Sequence, residues 1–215
     1  MREAAARETS ALSVWIDQGT AAAVREPSIA ASGCGGRADD MKPCAQELVA
    51  ARERVLPDVI APGLRLLFVG INPGLYSAAI GHHFGRPGNR FWPALWRAGL
   101  TPRLYDPRED RALLELGLGI TNLVARTTAR AAELEPEEVV AGARTLAAKV
   151  EHFAPEVVAI LGITSYRVAF GQPKAKLGWH GMLGPSRLHV LPNPSGLNAH
   201  HQLDALARLF RAVLA

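Results

Sequence analysis

Four short apolar runs recur in the second part of the chain. They cover residues 65–71, 119–124, 156–161 and 187–191. Continuous apolar runs of this length are typical of strands buried on both faces of a parallel sheet. The first run leads into Asn72-Pro73-Gly74 and the last into Asn193-Pro194, and both are turn sequences.

Segments with a helical period separate these runs. Asp106 followed by Pro107 is a typical helix start, because aspartate caps the first turn and proline fits the first helical position. Residues 89–98 place Phe91, Leu95 and Trp96 on one helical face. Helices are predicted over residues 45–54, 89–98, 106–116, 135–153, 164–170 and 200–214. The last of these has an apolar side formed by Leu203, Leu206, Leu209, Phe210 and Val213.

The alternation of strands and helices predicts the fold class. It implies right-handed crossovers and a parallel sheet covered by helices on both faces. We therefore expect an α/β fold, a three-layer α/β/α sandwich with a central, mainly parallel sheet of four strands. Residues 41–215 are expected to form this single domain. Residues 1–40, rich in Ala, Ser, Gly and Arg, are predicted to be a poorly ordered extension, and Met41 is a candidate start codon.

Composition narrows the classes of function. The chain is 48% apolar and 20% charged, as ordinary globular proteins are. No apolar run approaches the ~18 residues that a membrane span needs, and the N-terminus has no apolar signal core. We expect a cytoplasmic protein with no membrane partner. Cys34 and Cys44 are too few for a four-cysteine iron–sulfur or zinc site, so no metal or cofactor is expected.

The net charge of +4 is unevenly distributed along the chain. Residues 41–105 hold eight Lys and Arg against three Asp and Glu, and residues 160–215 hold six against one. Two basic segments that are distant in sequence are compatible with a surface that binds phosphates. On charge alone, arginines scattered over solvated faces are the better explanation.

The two Asn-Pro turns indicate a shared site. Ligands of open parallel α/β sheets bind outside the carboxyl ends of the strands. If the first and last strands are parallel neighbours, Asn72 and Asn193 project over the same edge of the sheet. A single Asn-Pro-Gly turn is common in proteins. Two Asn-Pro turns at strand ends in one small domain favour a common site.

Three motifs carry a resemblance to a known family. They are Gly-Ile-Asn-Pro-Gly-Leu at residues 70–75, Gly-His-His-Phe-Gly-Arg-Pro-Gly-Asn-Arg-Phe-Trp at 81–92, and Asn-Pro-Ser-Gly-Leu-Asn at 193–198. In this order they closely resemble the mismatch-specific uracil-DNA glycosylase and thymine-DNA glycosylase family, over roughly residues 55–215. The resemblance implies the uracil-DNA glycosylase fold and a monofunctional enzyme of base-excision repair. Such an enzyme flips a uracil out of duplex DNA and hydrolyses its N-glycosidic bond.

The resemblance assigns the catalytic role to Asn72, which would position the water that attacks C1′ of the deoxyribose. A carboxamide accepts a hydrogen bond from water but cannot take its proton at neutral pH. A general base contributes roughly 10²–10⁴-fold, so slow chemistry is expected where the most active uracil-specific family has Asp. Backbone N–H groups of residues 70–74 would stabilise the leaving uracil anion, as an oxyanion hole does.

The resemblance also assigns a base pocket to Ile71, Ser77, Phe84, Asn122 and Asn193. Phe84 would stack on the flipped base, although a core phenylalanine is the structural alternative. Ser77 would line the C5 edge of uracil and influence tolerance of a 5-methyl group. Asn122 matches the thymine branch of the family, and otherwise caps a strand end. His82 and His83 are candidate contacts to the base or the sugar-phosphate.

The last motif is implied to enter the DNA. Leu197, between Gly196 and Asn198, would fill the gap that the flipped nucleotide leaves. Extrusion costs a few kcal/mol, and less for a mispaired base, which favours mispairs. Candidate phosphate contacts, each equally well explained as solvated surface, are Arg86, Arg90, Lys174, Lys176 and Arg187. The implied partner is double-stranded DNA with a mispaired or damaged pyrimidine, bound by a monomer in the bacterial nucleoid.

Other interpretations stay open. Neither motif contains a lysine, so no Schiff base and no lyase activity are expected. The same motifs fit a protein that binds mispairs or abasic sites with negligible turnover. An unrelated nucleotide-binding α/β domain is a third reading, but no Gly-x-Gly-x-x-Gly follows the first strand and no Walker lysine is present. Mixed features of the two branches leave the ranking of uracil, thymine and other damaged bases open.

Overall fold

One five-stranded sheet organises the part of the chain that the computed structural model describes, residues 42–196 and 201–214. Its strands are β1 (Leu66–Gly70), β2 (Leu118–Asn122), β3 (Val157–Leu161), β4 (Gly178–Leu183) and β5 (Ser186–Leu191). The order across the sheet is β2-β1-β3-β5-β4. Four strands are parallel, and β4 pairs antiparallel with β5 at one side. The predictions for residues 1–40 and for the Met41 start lie outside the described residues.

The register of the parallel strands brings their last residues to one side of the sheet. Gly70 pairs with Asn122, and Leu161 pairs with Leu191. We call this side, where β1, β2, β3 and β5 end, the carboxyl edge. Every residue of β1 and β3 is buried, as their uninterrupted apolar sequences require.

Helices cover both faces of the sheet. They are α1 (Ala45–Ala50), α2 (Leu75–Ile80), α3 (Phe91–Arg97), α4 (Pro136–Phe153), α5 (Ile163–Ala169) and α6 (Leu203–Ala212). Segments of 3₁₀ helix span Ala51–Glu53, Pro107–Leu116 and Ala131–Glu133, and the second of them is kinked at Glu109. In α4 the Glu138 carboxylate accepts the Glu135 N–H at 2.9 Å, and Pro136 occupies the first turn. The helix ends at Phe153 and is followed by Ala154, which has a left-handed φ of 45°, and then by Pro155.

Two apolar layers lie between the sheet and these helices. On one face, Phe68 of β1 meets Phe91 of α3 edge-on at 5.2 Å and Phe210 of α6 at 5.3 Å between ring centroids. On the other face, Leu146 of α4 and Tyr166 of α5 belong to the cluster that covers the opposite side of the sheet. The three-layer α/β/α prediction is confirmed.

The predicted number of strands was wrong, since the sheet has five strands. The additional strand, β4, reads Gly-Trp-His-Gly-Met-Leu and lies at an outer position, with most of its residues partly or fully exposed. It therefore has no continuous apolar run, and two glycines interrupt its pattern. β1 and β5 are also not neighbours, because β3 lies between them. They still end at the same edge.

Helix predictions differ from the structure in several details. The segment predicted as a helix over residues 106–116 is a 3₁₀ segment, and the helix predicted over residues 45–54 is 3₁₀ after Ala50. The six-residue helix α2 was not predicted, and α6 begins at Leu203 rather than at residue 200. Trp96 does not share the buried face of Phe91 and Leu95, because it is 47% exposed. Five helical positions place Trp96 about 140° around the axis from Phe91, whereas Leu95 lies only about 40° away. Trp92, which is 4% exposed, takes part in the core instead. No helix in the described ranges is long and apolar enough to cross a membrane.

The two tryptophans of α3 provide a matched test of this packing. We expect Trp92→Ala to lower the free energy of unfolding by about 3–5 kcal/mol, because it empties a core position. It also removes the indole N–H that donates to the His83 carbonyl at 3.2 Å. Trp96→Ala should cost less than about 1 kcal/mol. Equilibrium urea unfolding followed by circular dichroism measures both, and equal costs would contradict the assigned helix orientation.

Candidate active site

A cavity of about 160 Å³ opens at the carboxyl edge, between the turns that follow β1, β2 and β5. Leu161, the last residue of β3, forms part of the wall between them. All six residues predicted for catalysis and for the base pocket line this one cavity: Ile71, Asn72, Ser77, Phe84, Asn122 and Asn193. His83 and Arg86 also line it. The fold thus brings two Asn-Pro turns and the His-His-Phe segment to one place.

The Asn72 side chain is held in one orientation by acceptors around its nitrogen. Nδ2 donates to the Thr128 hydroxyl at 2.7 Å, to the Arg126 carbonyl at 3.0 Å and to the Pro73 carbonyl at 3.2 Å. Carbonyl oxygens can only accept hydrogen bonds, so the amide nitrogen must face them. Oδ1, an acceptor, therefore lies on the opposite side of the carboxamide.

Thr128 occupies the centre of this arrangement. Its hydroxyl donates its own hydrogen to the Arg130 carbonyl at 2.9 Å, so its oxygen lone pair is directed to Asn72. Backbone bonds tie the same segment to the turn after β1. Thr128 N–H donates to the Pro73 carbonyl at 3.1 Å, and Leu75 N–H donates to the Thr128 carbonyl at 3.2 Å. Asn72 and its acceptors are therefore parts of one hydrogen-bonded unit.

An ion pair anchors the other end of this segment. Arg126 forms two 2.7 Å hydrogen bonds with the Glu138 carboxylate on the first turn of α4. The Arg126 guanidinium, with help from the Glu135 N–H, lowers the pKa of the Glu138 carboxyl to about 2. The pair consequently stays charged over the whole range in which the protein is expected to work. It holds the Arg126 carbonyl that faces Asn72.

Asn122 depends on a glycine opposite it. A Cβ atom on Gly70 would lie 2.4 Å from Asn122 Oδ1 and 3.4 Å from the Phe84 ring. Only glycine at the end of β1 therefore leaves room for the Asn122 carboxamide beside the cavity. This is a physical reason for the glycine at the start of the Gly-Ile-Asn-Pro-Gly motif.

Phe84 is held in an unusual backbone conformation. Its φ of 52° is left-handed, which is uncommon for a non-glycine residue. One face of its ring stacks on Phe91 with centroids 4.1 Å apart and planes at 24°. The ring is half-buried and also contributes to the cavity wall. Phe84 thus links the apolar core to the cavity, and it is an aromatic surface of the kind on which a base stacks.

The two histidines of the loop have different environments. His83 is buried, and its Nε2 donates to the Pro57 carbonyl at 2.9 Å. Burial lowers the pKa of the His83 imidazole from its ordinary value of 6.5, so the ring is held neutral. His82 does not line the cavity; its Nδ1 lies 3.3 Å from the Asp110 carboxylate, which also accepts the His83 N–H. The Ser77 hydroxyl accepts the Gly85 N–H at 3.1 Å.

The second Asn-Pro turn is closed by its own side chain. Asn193 Oδ1 accepts the Ser195 N–H at 2.9 Å. The exposed Gly196 follows, and its carbonyl accepts a hydrogen bond from Arg90. Leu197 and Asn198, predicted to enter the DNA, lie outside the described residues. Their proposed role stays a prediction.

The basic residues singled out from the sequence do not form one group. Arg86 is exposed beside the cavity, and Lys174 and Lys176 are exposed in the turn between α5 and β4. Arg187 pairs with Val157 at the start of β3, so it lies at the opposite end of the sheet from the carboxyl edge. Its guanidinium lies 4.8 Å from the centre of the Trp179 ring. Arg90 bonds to backbone carbonyls.

A family model confirms the broad assignment that this geometry indicates. The model described as "Uracil DNA glycosylase superfamily" matches residues 57–214, a span that includes all six catalytic and base-pocket candidates. The chain belongs to the uracil DNA glycosylase superfamily. Membership indicates a DNA-binding protein with uracil-type N-glycosylase activity in base-excision repair. In the described part of this glycosylase, no three His, Cys, Asp or Glu side chains are grouped closely enough to hold a metal ion.

Sequence reasoning did not identify several residues that build the glycosylase site. Thr128, Arg126 and Glu138 hold Asn72, and Asp110 holds the His82-His83 segment. Thr128 lies 56 positions from Asn72, and a threonine in a polar loop has no local signature. Only the Arg-Thr-Thr sequence directly after the predicted β2 offered a signal, since it begins at the carboxyl edge.

Thr128 provides a test of how the Asn72 side chain is oriented. We expect Thr128→Val to lower the single-turnover rate of uracil excision about 10²-fold, because the Asn72 amide loses the nearest of its three acceptors and, in the role that the resemblance implies, would misplace the attacking water. Thr128→Ser keeps the hydroxyl and should stay within a few-fold of wild type. Thr127→Val is the matched control, because the Thr127 hydroxyl donates to the Arg54 carbonyl instead. If Thr127→Val and Thr128→Val lowered the excision rate equally, Thr128 would have no specific role in orienting Asn72.

Buried His83 should make stability depend on pH. Its folded pKa lies below the unfolded value of 6.5, so its contribution is complete above pH 6.5 and is lost as the pH falls through the folded pKa. We expect wild type to lose unfolding free energy relative to His83→Gln below pH 6.5, by at most about 1.4 kcal/mol per pH unit. Burial also lowers the pKa of His189, but both proteins retain it. Urea unfolding of both proteins from pH 7.5 to 5 measures this difference. An unfolding free energy that depends on pH in the same way in wild type and in His83→Gln would refute the assignment of a neutral, buried His83.

Proposed function

We propose that this member of the superfamily is a monofunctional glycosylase of the mismatch-specific uracil/thymine type. It flips uracil from G·U mispairs, discriminates incompletely against thymine in G·T, and hydrolyses the N-glycosidic bond. The observation that carries the proposal is the oriented carboxamide of Asn72 in a cavity that also presents the Phe84 ring and the Asn122 carboxamide.

Asn72 performs the water-positioning step. With its nitrogen bound to Thr128 and to two carbonyls, Oδ1 is the atom that accepts a hydrogen bond from water. The water oxygen is then directed at C1′ without losing its proton to the side chain, since an amide is not a base at neutral pH. Positioning alone lowers the barrier by removing the entropy of bringing the reactants together.

The other cavity residues hold the base. Phe84 presents an aromatic face, and Asn122 and Asn193 present carboxamides, which can donate to and accept from the edges of a pyrimidine. Ser77 is buried in the first turn of α2 and lines the cavity. The resemblance to the mismatch-specific family assigns it to the C5 edge of the base. A single methyl group changes binding by only about 1–3 kcal/mol, so thymine would be slowed rather than excluded.

The leaving group must supply much of the rate. Of the described residues that line the cavity, none is a carboxylate, and the imidazole of His83 is buried and bonded to Pro57. The C1′–N1 bond therefore breaks with little help from proton transfer, its electron pair leaves on the uracil anion, and backbone donors of residues 70–74 stabilise that anion. The water forms the new bond to C1′ and releases its proton to solvent or to the departed anion. Electron-poor bases should leave fastest. Neither Asn-Pro motif offers an amine nucleophile, so the enzyme is proposed to lack lyase activity.

The absence of a carboxylate from this part of the cavity also favours a second candidate function. A protein with this cavity and the Leu197 wedge could bind mispairs or abasic sites while turning over negligibly. In both cases the partner is duplex DNA, bound by one copy of the chain, because a single flipped base has no two-fold symmetry. The two functions differ in the rate of the chemical step.

Single-turnover excision separates them. Duplexes carrying G·U, A·U, G·T or G·C are incubated with excess wild type, Asn72→Ala or Gln46→Ala; the last removes a carboxamide from exposed α1 as a control. We expect excision of G·U faster than A·U, a loss of at least about 10²-fold in Asn72→Ala, and no change in Gln46→Ala. Binding to abasic duplex should be retained in all three.

The remaining outcomes have distinct meanings. Tight binding to G·U or abasic duplex without excision by wild type would support the lesion-binding function. Excision that is unaffected by Asn72→Ala would remove Asn72 from the mechanism. A covalent adduct trapped by borohydride on abasic DNA would show lyase chemistry.

A further inference from the structure

We infer that Arg90 is a positioning residue that holds the two ends of the segment proposed to enter the DNA. One guanidinium nitrogen, Nη2, donates to the Gly196 carbonyl at 2.8 Å, and the other, Nη1, donates to the His201 carbonyl at 2.5 Å. These carbonyls stand immediately before and after residues 197–200. The inference rests on the proposed function, in which Leu197 fills the gap left by the flipped base.

The backbone of Arg90 makes a third bond to the same loop. Its N–H donates to the Pro194 carbonyl at 2.9 Å. A Cβ atom on Gly196 would lie only 2.5 Å from the Gly88 carbonyl, so the two loops touch backbone to backbone. The Gly85–Arg90 part of the first loop and the Asn193–Gly196 part of the last motif therefore form one unit.

Arg90 is itself rigidly supported. It is the residue before α3, and Ala94 N–H donates to its carbonyl at 2.9 Å. Phe91 and Leu95, on the next turns, are completely buried, and Asn89 Oδ1 accepts the Phe91 N–H at 2.9 Å. The guanidinium thus projects from a helix end that is fixed in the core.

The same helix also supports the downstream side of the segment. Arg211 of α6 donates to the Ala98 carbonyl at 3.1 Å and to the Arg97 carbonyl at 2.8 Å. Arg97 forms an ion pair with Asp204 near the start of α6. Both ends of residues 197–200 are therefore attached to α3, directly through Arg90 and indirectly through α6.

The chemistry of arginine suits this task and that of lysine does not. A guanidinium is planar and presents donors in a fixed fork, so two nitrogens of one side chain set the separation of two acceptors. An ammonium is a point charge that cannot bridge the same carbonyls in a fixed geometry. A phosphate contact, the role considered for Arg90 from the sequence, makes no such demand, because a lysine at this position would also bind a phosphate.

A side chain driven into stacked DNA meets resistance, because unstacking a base step costs free energy. Because Arg90 bonds to the backbone on both sides of residues 197–200, Leu197 would be supported by the core of the protein when it enters the stack. Loss of Arg90 should therefore matter most where a base must be extruded from a stable pair. It should matter little where the base is already unpaired.

Five proteins test the inference: wild type, Arg90→Ala, Arg90→Lys, Leu197→Ala and the double variant that combines Arg90→Ala with Leu197→Ala. We expect both Arg90 variants to excise uracil from an A·U duplex about 10–100-fold more slowly, in the range that misplacement of a positioned group produces. Excision from single-stranded DNA should stay within about twofold. The double variant should be no slower than Leu197→Ala alone. Arg144→Ala, on the exposed face of α4, controls for loss of positive charge.

A role in phosphate binding gives different results. Arg90→Lys would then behave like wild type, and Arg90→Ala would reduce the slope of log binding constant against log salt by about one contact. Either of these two results would overturn the inference. So would an equal loss of rate on single-stranded substrate, or a double variant in which the effects of the two alanine substitutions multiply.

Hydrogen exchange of the free protein provides a readout that does not depend on activity. Amides in a peptide covering residues 194–202 should exchange faster in Arg90→Ala and Arg90→Lys, while a peptide covering residues 157–170 should not change. Unchanged exchange at 194–202 would overturn the inference whatever the activity. Faster exchange in a protein whose wild type excises nothing would support the role of Arg90 and refute the proposed function. If Arg90→Ala does not fold, Arg90→Lys alone is used for both the excision and the hydrogen-exchange measurements.

Discussion

Hydrogen bonds between the turn after β1 and the turn after β2 determine the geometry of the site. The two parallel strands end side by side, and their pairing continues beyond the sheet, with Leu123 and Val124 donating to Gly70 and Ile71 at 2.9 Å. The Thr128 backbone then bonds to residues 73 and 75. Because the chain is paired on both sides of Asn72, its carboxamide nitrogen meets three acceptors, and its oxygen faces away from them. An uncharged side chain thereby acquires a single direction, which a water-positioning group needs more than it needs basicity.

The cavity is lined both by the Phe84 ring and by the carboxamides of Asn72, Asn122 and Asn193, and the sheet and its core place these groups. Phe84 is stacked on Phe91, which itself meets Phe68 and Phe210, so an aromatic chain leads from the core to the cavity. Gly70 supplies the space that the Asn122 carboxamide occupies. A neutral His83, bonded to Pro57 and kept neutral by burial, contributes no charge to this wall. Such a site is suited to a neutral heterocycle, and in the proposed mechanism the base leaves as an anion.

The Arg90 contacts extend this organisation to the last motif. The loop before α3 contributes Phe84 to the cavity and Arg90 to the loop after β5, so one segment connects the base pocket with the residues proposed to replace the base in the stack. If flipping and excision are to be coupled, the two parts must keep a constant distance. Backbone contact between Gly88 and Gly196 and the fork of Arg90 provide that constraint.

The apolar period and the turn sequences predicted the four parallel strands and most of the helices between them, because both are local properties of the chain. The two Asn-Pro turns also indicated a shared site at Asn72 and Asn193, whereas the other cavity residues were assigned by the resemblance of three motifs to a known family. The exposed strand β4 escaped this reasoning, since an outer strand with two glycines has neither a continuous apolar run nor a clear alternation. Trp96 was placed on the wrong face because neighbouring helical positions differ by about 100°. Only the tertiary structure decided that Thr128 orients Asn72 and that Arg90 bonds to the carbonyls of Gly196 and His201. Hydrogen bonds between positions 56 to 111 residues apart depend on how the strands are ordered, and no local pattern in the chain encodes that.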